Sequence, residues 1–177
     1  MDVTTTAGFD WTLALLFLGA SLAAALTGWM FKPGTWYDGL QKPDWRPKNW
    51  MFPIAWTTIY VLSSLAAARV APHAGNAYAM AFWALQIALN TLWTPTFFGA
   101  RRIGLSVVVM LALCFAVLGM LWTFWALDGW AFVMILPYAA WLSLAAPLNI
   151  WIWRKIRSRG LERRNSHHIF GGRDGPL

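Results

Sequence analysis

The placement of ionisable residues constrains this chain more than any other feature. Between Trp11 and Trp153, Asp, Glu, Lys, Arg and His occur only at breaks between long apolar runs: Lys32 to Lys48, Arg69 to His73, Arg101 with Arg102, and Asp128. An ionised group inside hydrocarbon is costly, and about 20 apolar residues span a bilayer. The runs at about 11–31, 50–70, 77–98, 105–127 and 130–153 meet that length. The expected fold is therefore an all-α membrane protein, a five-transmembrane-helix bundle forming a single domain over residues 1–153. Residues 154–177 are expected to be a basic cytoplasmic tail in which the last helix frays into disorder.

Only 12% of the residues are charged, about half the share usual in soluble domains. In a soluble protein the net charge of +7 would point to nucleic acid. Here the cations lie between and after the apolar runs, so orientation and anionic lipid explain them better and no nucleic acid is expected. The first loop, the third loop and the tail share one side and hold four, two and seven Lys or Arg, against Arg69 alone opposite. For a membrane inserted from the cytoplasm, such as a bacterial cell membrane, the positive-inside rule then puts the N-terminus outside and the C-terminus in the cytoplasm. In a bacterial outer membrane or an organelle the rule would not fix the orientation. Residues 1–9 carry no Lys or Arg, so the first run is not read as a cleaved signal peptide.

The loop before the second run is long and stiff. Tyr37 to Tyr60 reads YDGLQKPDWRPKNWMFPIAWTTIY, with Pro43, Pro47 and Pro53 between Trp45, Trp50 and Trp56. Proline fixes φ, and the aromatic content argues against disorder. A structured loop between helices 1 and 2, acting as a lid over a pocket, is expected. A kink is expected at Pro95 and another at Pro147.

The spans carry no buried ionisable group for ion coupling and no histidine to ligate a haem iron. Cys114 stands alone, which excludes an internal disulfide and a thiolate metal site. No metal ligands, nucleotide loop or nucleophile–base pair is expected. What remains is neutral and aromatic. Gln86, Asn90, Trp93 and Phe97 fall on one helical stripe, as do Pro53, Trp56, Tyr60, Ser64 and Ala67, and Trp141, Ala145, Leu148 and Ile152. Seven of the fourteen tryptophans, Trp11, Trp29, Trp50, Trp125, Trp130, Trp151 and Trp153, sit near span ends as interface anchors. Trp56, Trp93 and Trp141 lie deeper and line a pocket or pack between helices. Gln86 and Asn90 divide evenly between interhelical glue and ligand contact, and Asn149 reads as structural. The small residues Gly19, Ala20, Ala23, Ala24 and Gly28 permit close helix approach, and Ala77, Ala81, Ala84 and Ala88 form a weak dimer-face signal.

Three segments together, WYDGLQKPDWRPKNWMFPIAWTTIY, QIALNTLWTPTFFG with Arg101, and PYAAWLSLAAPLN with Trp153-Arg154, resemble a bacterial member of the TspO/MBR family of tryptophan-rich sensory and translocator proteins. The match in order and spacing covers about residues 10–155. The resemblance implies a five-helix bundle, commonly a homodimer, that binds tetrapyrroles such as protoporphyrin IX and needs no cofactor of its own. It implies a pocket formed by Tyr37, Pro47, Trp56, Asn90, Trp93, Trp141, Ala145 and Leu148. It also implies a second reading, light-dependent porphyrin degradation, with Trp56 and Trp141 as the catalytic candidates. A third reading is a sterol- or lipid-binding translocator, but Ile150 stands where the family's cholesterol motif, here Leu148 to Arg154, carries tyrosine. Indole faces suit a flat porphyrin ring, and Lys42, Arg46 and Lys48 are expected to meet its carboxylates at the rim.

Overall fold

The computed structural model describes the backbone of residues 9–170 and the side chains as far as Arg159. Residues 1–8 and the end of the expected tail, residues 171–177, lie outside the described residues. Six helices follow in order: α1 (Trp11–Met30), α2 (Thr35–Asp38), α3 (Met51–Val70), α4 (Ala77–Thr94), α5 (Ile103–Leu127) and α6 (Gly129–Phe170), with a π-helical turn at Pro95–Gly99. By length and composition, α1, α3, α5 and α6 are able to cross a membrane. Helix α4 has 18 residues and is less apolar, because it carries Gln86 and Asn90, both buried.

Local chemistry fixes the ends. Asp10 caps α1, its Oδ1 accepting from the amides of Thr12 (2.9 Å) and Leu13 (3.0 Å). Pro53 falls in the first turn of α3, where its missing N–H costs nothing. At Pro95 there is no N–H to continue the α ladder. The register widens there, and the Ala100 amide reaches back to the Pro95 carbonyl at 2.8 Å. The third run thus changes its helical register at the expected proline, its α-helix stopping at Thr94. Pro137 and Pro147 both lie within α6 without ending it.

Each long helix packs chiefly against two others, closing a ring in the order α1, α3, α6, α5, α4, with a lighter contact between α3 and α4. Small residues set the spacing. Ser21 of α1 meets Ser64 of α3 at 3.0 Å between hydroxyls, and Ala24, Ala66 and Ala67 are buried. Of the small residues of α1 read as close-approach positions, Gly19, Ala20 and Ala23 face outward, whereas Ala24 is packed. On α5, a Cβ at Gly119 would come within 2.4 Å of the Phe82 ring, so only glycine lets α4 lie that close.

Trp11, Trp29, Trp50, Trp125 and Trp130 are exposed, as anchors would be. Trp151 and Trp153 are only partly exposed and join a second apolar cluster. One correction concerns the tail. Residues 154–170, expected to fray, continue α6 as helix. Lys and Arg are good helix formers, and a helix nucleated in the apolar run propagates into them at little cost.

At the end of the bundle opposite the long loop, Arg69 of α3 and Asp128 before α6 form an ion pair at 2.7 Å. Asp128 also accepts from the Ala131 amide at 2.9 Å, capping α6. Burial opposes the charge on Asp128, but the hydrogen bonds from Arg69 and Ala131 outweigh it and hold its carboxyl below the usual range. A depressed pKa gives stability that is present above the ordinary carboxylate value, about 3.9, and is lost as pH falls through the lower folded value. Asp128→Asn is expected to cost about 1 kcal/mol at neutral pH, the scale of a solvent-screened pair. The variant should also lack the part of the acid-induced fall in thermal midpoint that the wild type shows below about pH 4. Parallel melts in detergent micelles at pH 3 to 7 check this.

Candidate ligand cavity

Beneath the α1–α3 loop the ring encloses a cavity of about 630 Å³, within the roughly 300–1,000 Å³ of small-molecule sites. Three helical stripes deliver its wall. Pro53, Trp56 and Tyr60 come from α3; Asn90, Trp93 and, one turn on, Phe97 from α4 and the π turn; Trp141, Ala145, Leu148 and Ile152 from α6. These are the stripes read from i, i+4, i+7 spacing.

The aromatic rings form two groups. Trp56 stacks on Tyr60 (centroids 5.7 Å, 25°) and meets Trp141 edge-on at 6.5 Å, and Phe52 stands against Trp141 at 5.2 Å. Opposite, Trp93 stacks on Phe97 at 5.1 Å and 26°. The Trp93 indole is fixed at its edge as well: Nε1 donates to Asn149 Oδ1 at 2.9 Å, and Asn149 Nδ2 donates to Ser106 Oγ at 3.1 Å. The Trp141 Nε1 is buried with no hydrogen-bond partner.

A polar floor closes the cavity toward the bundle centre. The Tyr60 hydroxyl donates to Asn90 Oδ1 (3.3 Å), Asn90 Nδ2 donates to the Tyr138 oxygen (2.8 Å), and the Tyr138 hydroxyl donates to Gln86 Oε1 (3.1 Å). Gln86 Nε2 is left without a partner. Gln86 therefore bonds between helices below the cavity, whereas Asn90 does so and also lines it.

Of the eight pocket residues implied from sequence, seven line the cavity: Tyr37, Trp56, Asn90, Trp93, Trp141, Ala145 and Leu148. Pro47 does not; it is buried within the loop. The expected cationic rim is also corrected. Lys42 Nζ binds the carbonyls of Tyr37, Asp38 and Leu40, the latter two at 3.3 Å, and lies 4.3 Å from the centre of the Tyr37 ring. It closes the C-terminal end of α2 instead of facing a ligand. Arg46 donates to Asn49 Oδ1 at 2.9 Å, and neither it nor Lys48 lines the cavity. Burial lowers the Lys42 pKa, and Arg46 adds to that against the pull of Asp38. Burial raises the Tyr37 phenol, with Arg46 opposing. Sequence reasoning missed Ala25, Gly28 and Trp29 of α1, Phe52 of α3 and Met110 of α5 as wall residues. Asn149, read as structural, does hold Trp93 and Ser106 across the helices, and it lines the cavity as well.

The sequence model of the TspO/MBR family matches residues 12–154, nearly all of the described helical core. The chain belongs to the TspO/MBR family. It is 49% identical over 140 residues to the tryptophan-rich sensory protein of Cereibacter sphaeroides, covering 79% of this chain and 89% of that one. It is 44% identical over 147 residues to protein CrtK of Rhodobacter capsulatus, covering 81% and 92%. The human translocator protein is 31% identical over 152 residues, covering 81% and 90%. With its four apolar helices long enough to cross a membrane, this TspO/MBR protein is an integral membrane protein.

Asn149→Leu should leave the Trp93 N–H unpartnered and cost about 1–3 kcal/mol, the penalty for an orphaned buried donor. Thermal unfolding in micelles tests this. An unchanged midpoint would mean that Trp93 is held by its stack on Phe97 alone.

Proposed function

We propose that this TspO/MBR protein binds a tetrapyrrole such as protoporphyrin IX in the cavity and acts in porphyrin sensing, transport or clearance. The observation that carries the reading is the pairing of Trp56 with Trp141 on one wall and Trp93 with Phe97 on the other, around a volume suited to a large flat ring. A metal-free ring needs no ligating side chain. Its carboxylates would lie toward the mouth, where Pro33, Asp38 and Asn49 are exposed.

In this reading α4 and the π turn complete a fifth span, the long loop carrying α2 is the lid, the N-terminus is outside and the basic end of α6 meets anionic lipid in the cytoplasm. A second copy would pack on Ala77, Ala81, Ala84 and Ala88, all of which are exposed. A sterol role has less support. Leu148 is turned into the cavity whereas Arg154 is exposed, so the two do not make one lipid-facing patch.

Titration of the purified protein with protoporphyrin IX, followed by tryptophan quenching in the dark, tests the reading. Trp141→Ala should weaken binding about 30-fold, the effect of removing a central aromatic anchor. Equal affinity in both proteins would remove Trp141 from the site.

The contact between Trp56 and Trp141 also favours a second reading, in which indoles beside a light-absorbing ring promote its oxidative breakdown, with dissolved dioxygen as the oxidant. Under illumination the wild type should then lose porphyrin absorbance. Trp56→Phe and Trp141→Phe should slow that loss at least tenfold while still binding in the dark. Equal decay in wild type and variants would leave the protein a binder only.

A further inference from the structure

The lid is moored at three points, all on one short segment. Phe31, which ends α1, lies so close to Gly99 that a Cβ there would come within 2.8 Å of its ring. Tyr37 of α2 packs edge-on against Phe97 (6.1 Å) and Phe98 (5.4 Å). Trp36 of α2 meets Phe97 at 6.2 Å on one side and the Arg101 guanidinium at 5.4 Å on another. The segment Pro95–Arg101 is therefore a platform for the lid, and two of its residues, Phe97 and Phe98, are themselves cavity wall.

Arg101 is held in an unusual state. Its φ is +54°, and among the described residues it is the only non-glycine residue in the positive range. Such a backbone is strained and persists only where neighbouring structure enforces it. Here the enforcement is visible: the Arg102 amide turns back to the Thr96 carbonyl at 3.0 Å and the Ala100 amide to Pro95. The reversal carries the Arg101 side chain off the axis of α5 and toward Trp36. Helix α2 is one turn long and cannot hold itself together. Within the lid, α2 rests on its own turn bonds and on Lys42; the charged contact from outside the lid is Arg101.

We propose that Arg101 is a positioning residue, the latch that keeps α2 seated on the Pro95–Gly99 turn and so sets how readily the cavity opens. Its role in ligand release rests on the binding reading above; its role in lid closure does not. Arginine suits the task because its planar cation stacks on an indole face and stays charged at every physiological pH.

Hydrogen exchange read by mass spectrometry on the full-length, ligand-free protein in micelles tests the closure. The amides of Tyr37 to Leu40, bonded to carbonyls of residues 34 to 37, report lid opening, and those of α5 report the bundle. Arg101→Ala and Trp36→Leu should each speed exchange at 37–40 about three- to tenfold, the range for losing one cation–π contact. The double variant should be no faster than the faster single one, and α5 should be unchanged. Arg101→Gly removes the cation while relieving the backbone, and serves if Arg101→Ala does not fold. Protoporphyrin IX should both enter and leave Arg101→Ala faster by about that factor, with little change in affinity, because Arg101 does not line the cavity. Unchanged exchange at 37–40, or effects of the two substitutions that multiply, would overturn the latch. Faster, non-multiplying exchange in a protein that does not bind protoporphyrin IX would uphold the latch and sink the ligand assignment.

Discussion

The structure depends on how the neutral polar groups of the bundle find partners where no water can supply them. Helices α4 and α6 are not neighbours in the ring, yet three hydrogen bonds join them through its centre: Asn90 to Tyr138, Tyr138 to Gln86, and Trp93 to Asn149. In hydrocarbon an unpaired amide costs far more than the bond is worth in water. The helices must therefore stand where these side chains meet. Such bonds average only about 0.6 kcal/mol in measured membrane proteins, so their effect is on geometry more than on total stability. They set the register of α4 against α6, and that register decides which aromatics face each other across the cavity.

The same bonds explain why a cavity exists at all. Below Asn90 the ring interior is filled by Trp83, Met120, Phe124 and Ile135. Above it the Trp93–Asn149 bond joins the same two helices, and the large aromatics pair with one another around the cavity, Trp56 with Trp141 and Trp93 with Phe97, instead of filling it. The π turn at Pro95 supports this by swinging Phe97 and Phe98 under the lid. Pocket and polar floor are thus two halves of one packing solution.

Much of this was legible in the residues. The length of the apolar runs between charged breaks located the long helices, and the 3.6-residue period named the stripes of α3, α4 and α6, because each stripe joins an aromatic to a small or amide residue at regular spacing. Helix α1 offered no such contrast. Of its wall residues, Gly28 was legible as a small residue and Trp29 as an interface anchor, and Ala25 as neither; their place in the wall follows only from the gap they border. Pro47 failed for a related reason: a loop has no period, so chemical type cannot tell a residue facing the cavity from one facing its own loop. Lys42 and Arg46 were legible as charges, but their partners are set by the fold of the lid. The Arg69–Asp128 pair joins positions far apart in the chain and was likewise invisible until α3 and α6 were placed. The helical tail went the other way: local propensity favoured helix, and the polar composition was read as disorder instead.

The commitment of Lys42 bears on ligand chemistry. A dianionic ring entering the cavity meets no cation on the wall, and the charged wall residue at the mouth is Asp38, of like sign. Drawing Lys42 toward a carboxylate would exchange three carbonyl contacts and the Tyr37 ring for one ion pair, and would strip the C-terminal end of α2 of its cap. Near water an ion pair of this kind is worth about 1 kcal/mol or less, which does not offset that loss. Under the binding proposal, recognition of the ring would rest on its faces, through Trp56, Trp93 and Trp141, with the carboxylates left in solvent or among lipid headgroups. A site built this way discriminates by shape and planarity more than by charge, so neutral flat ligands should compete in it on nearly equal terms with acidic ones.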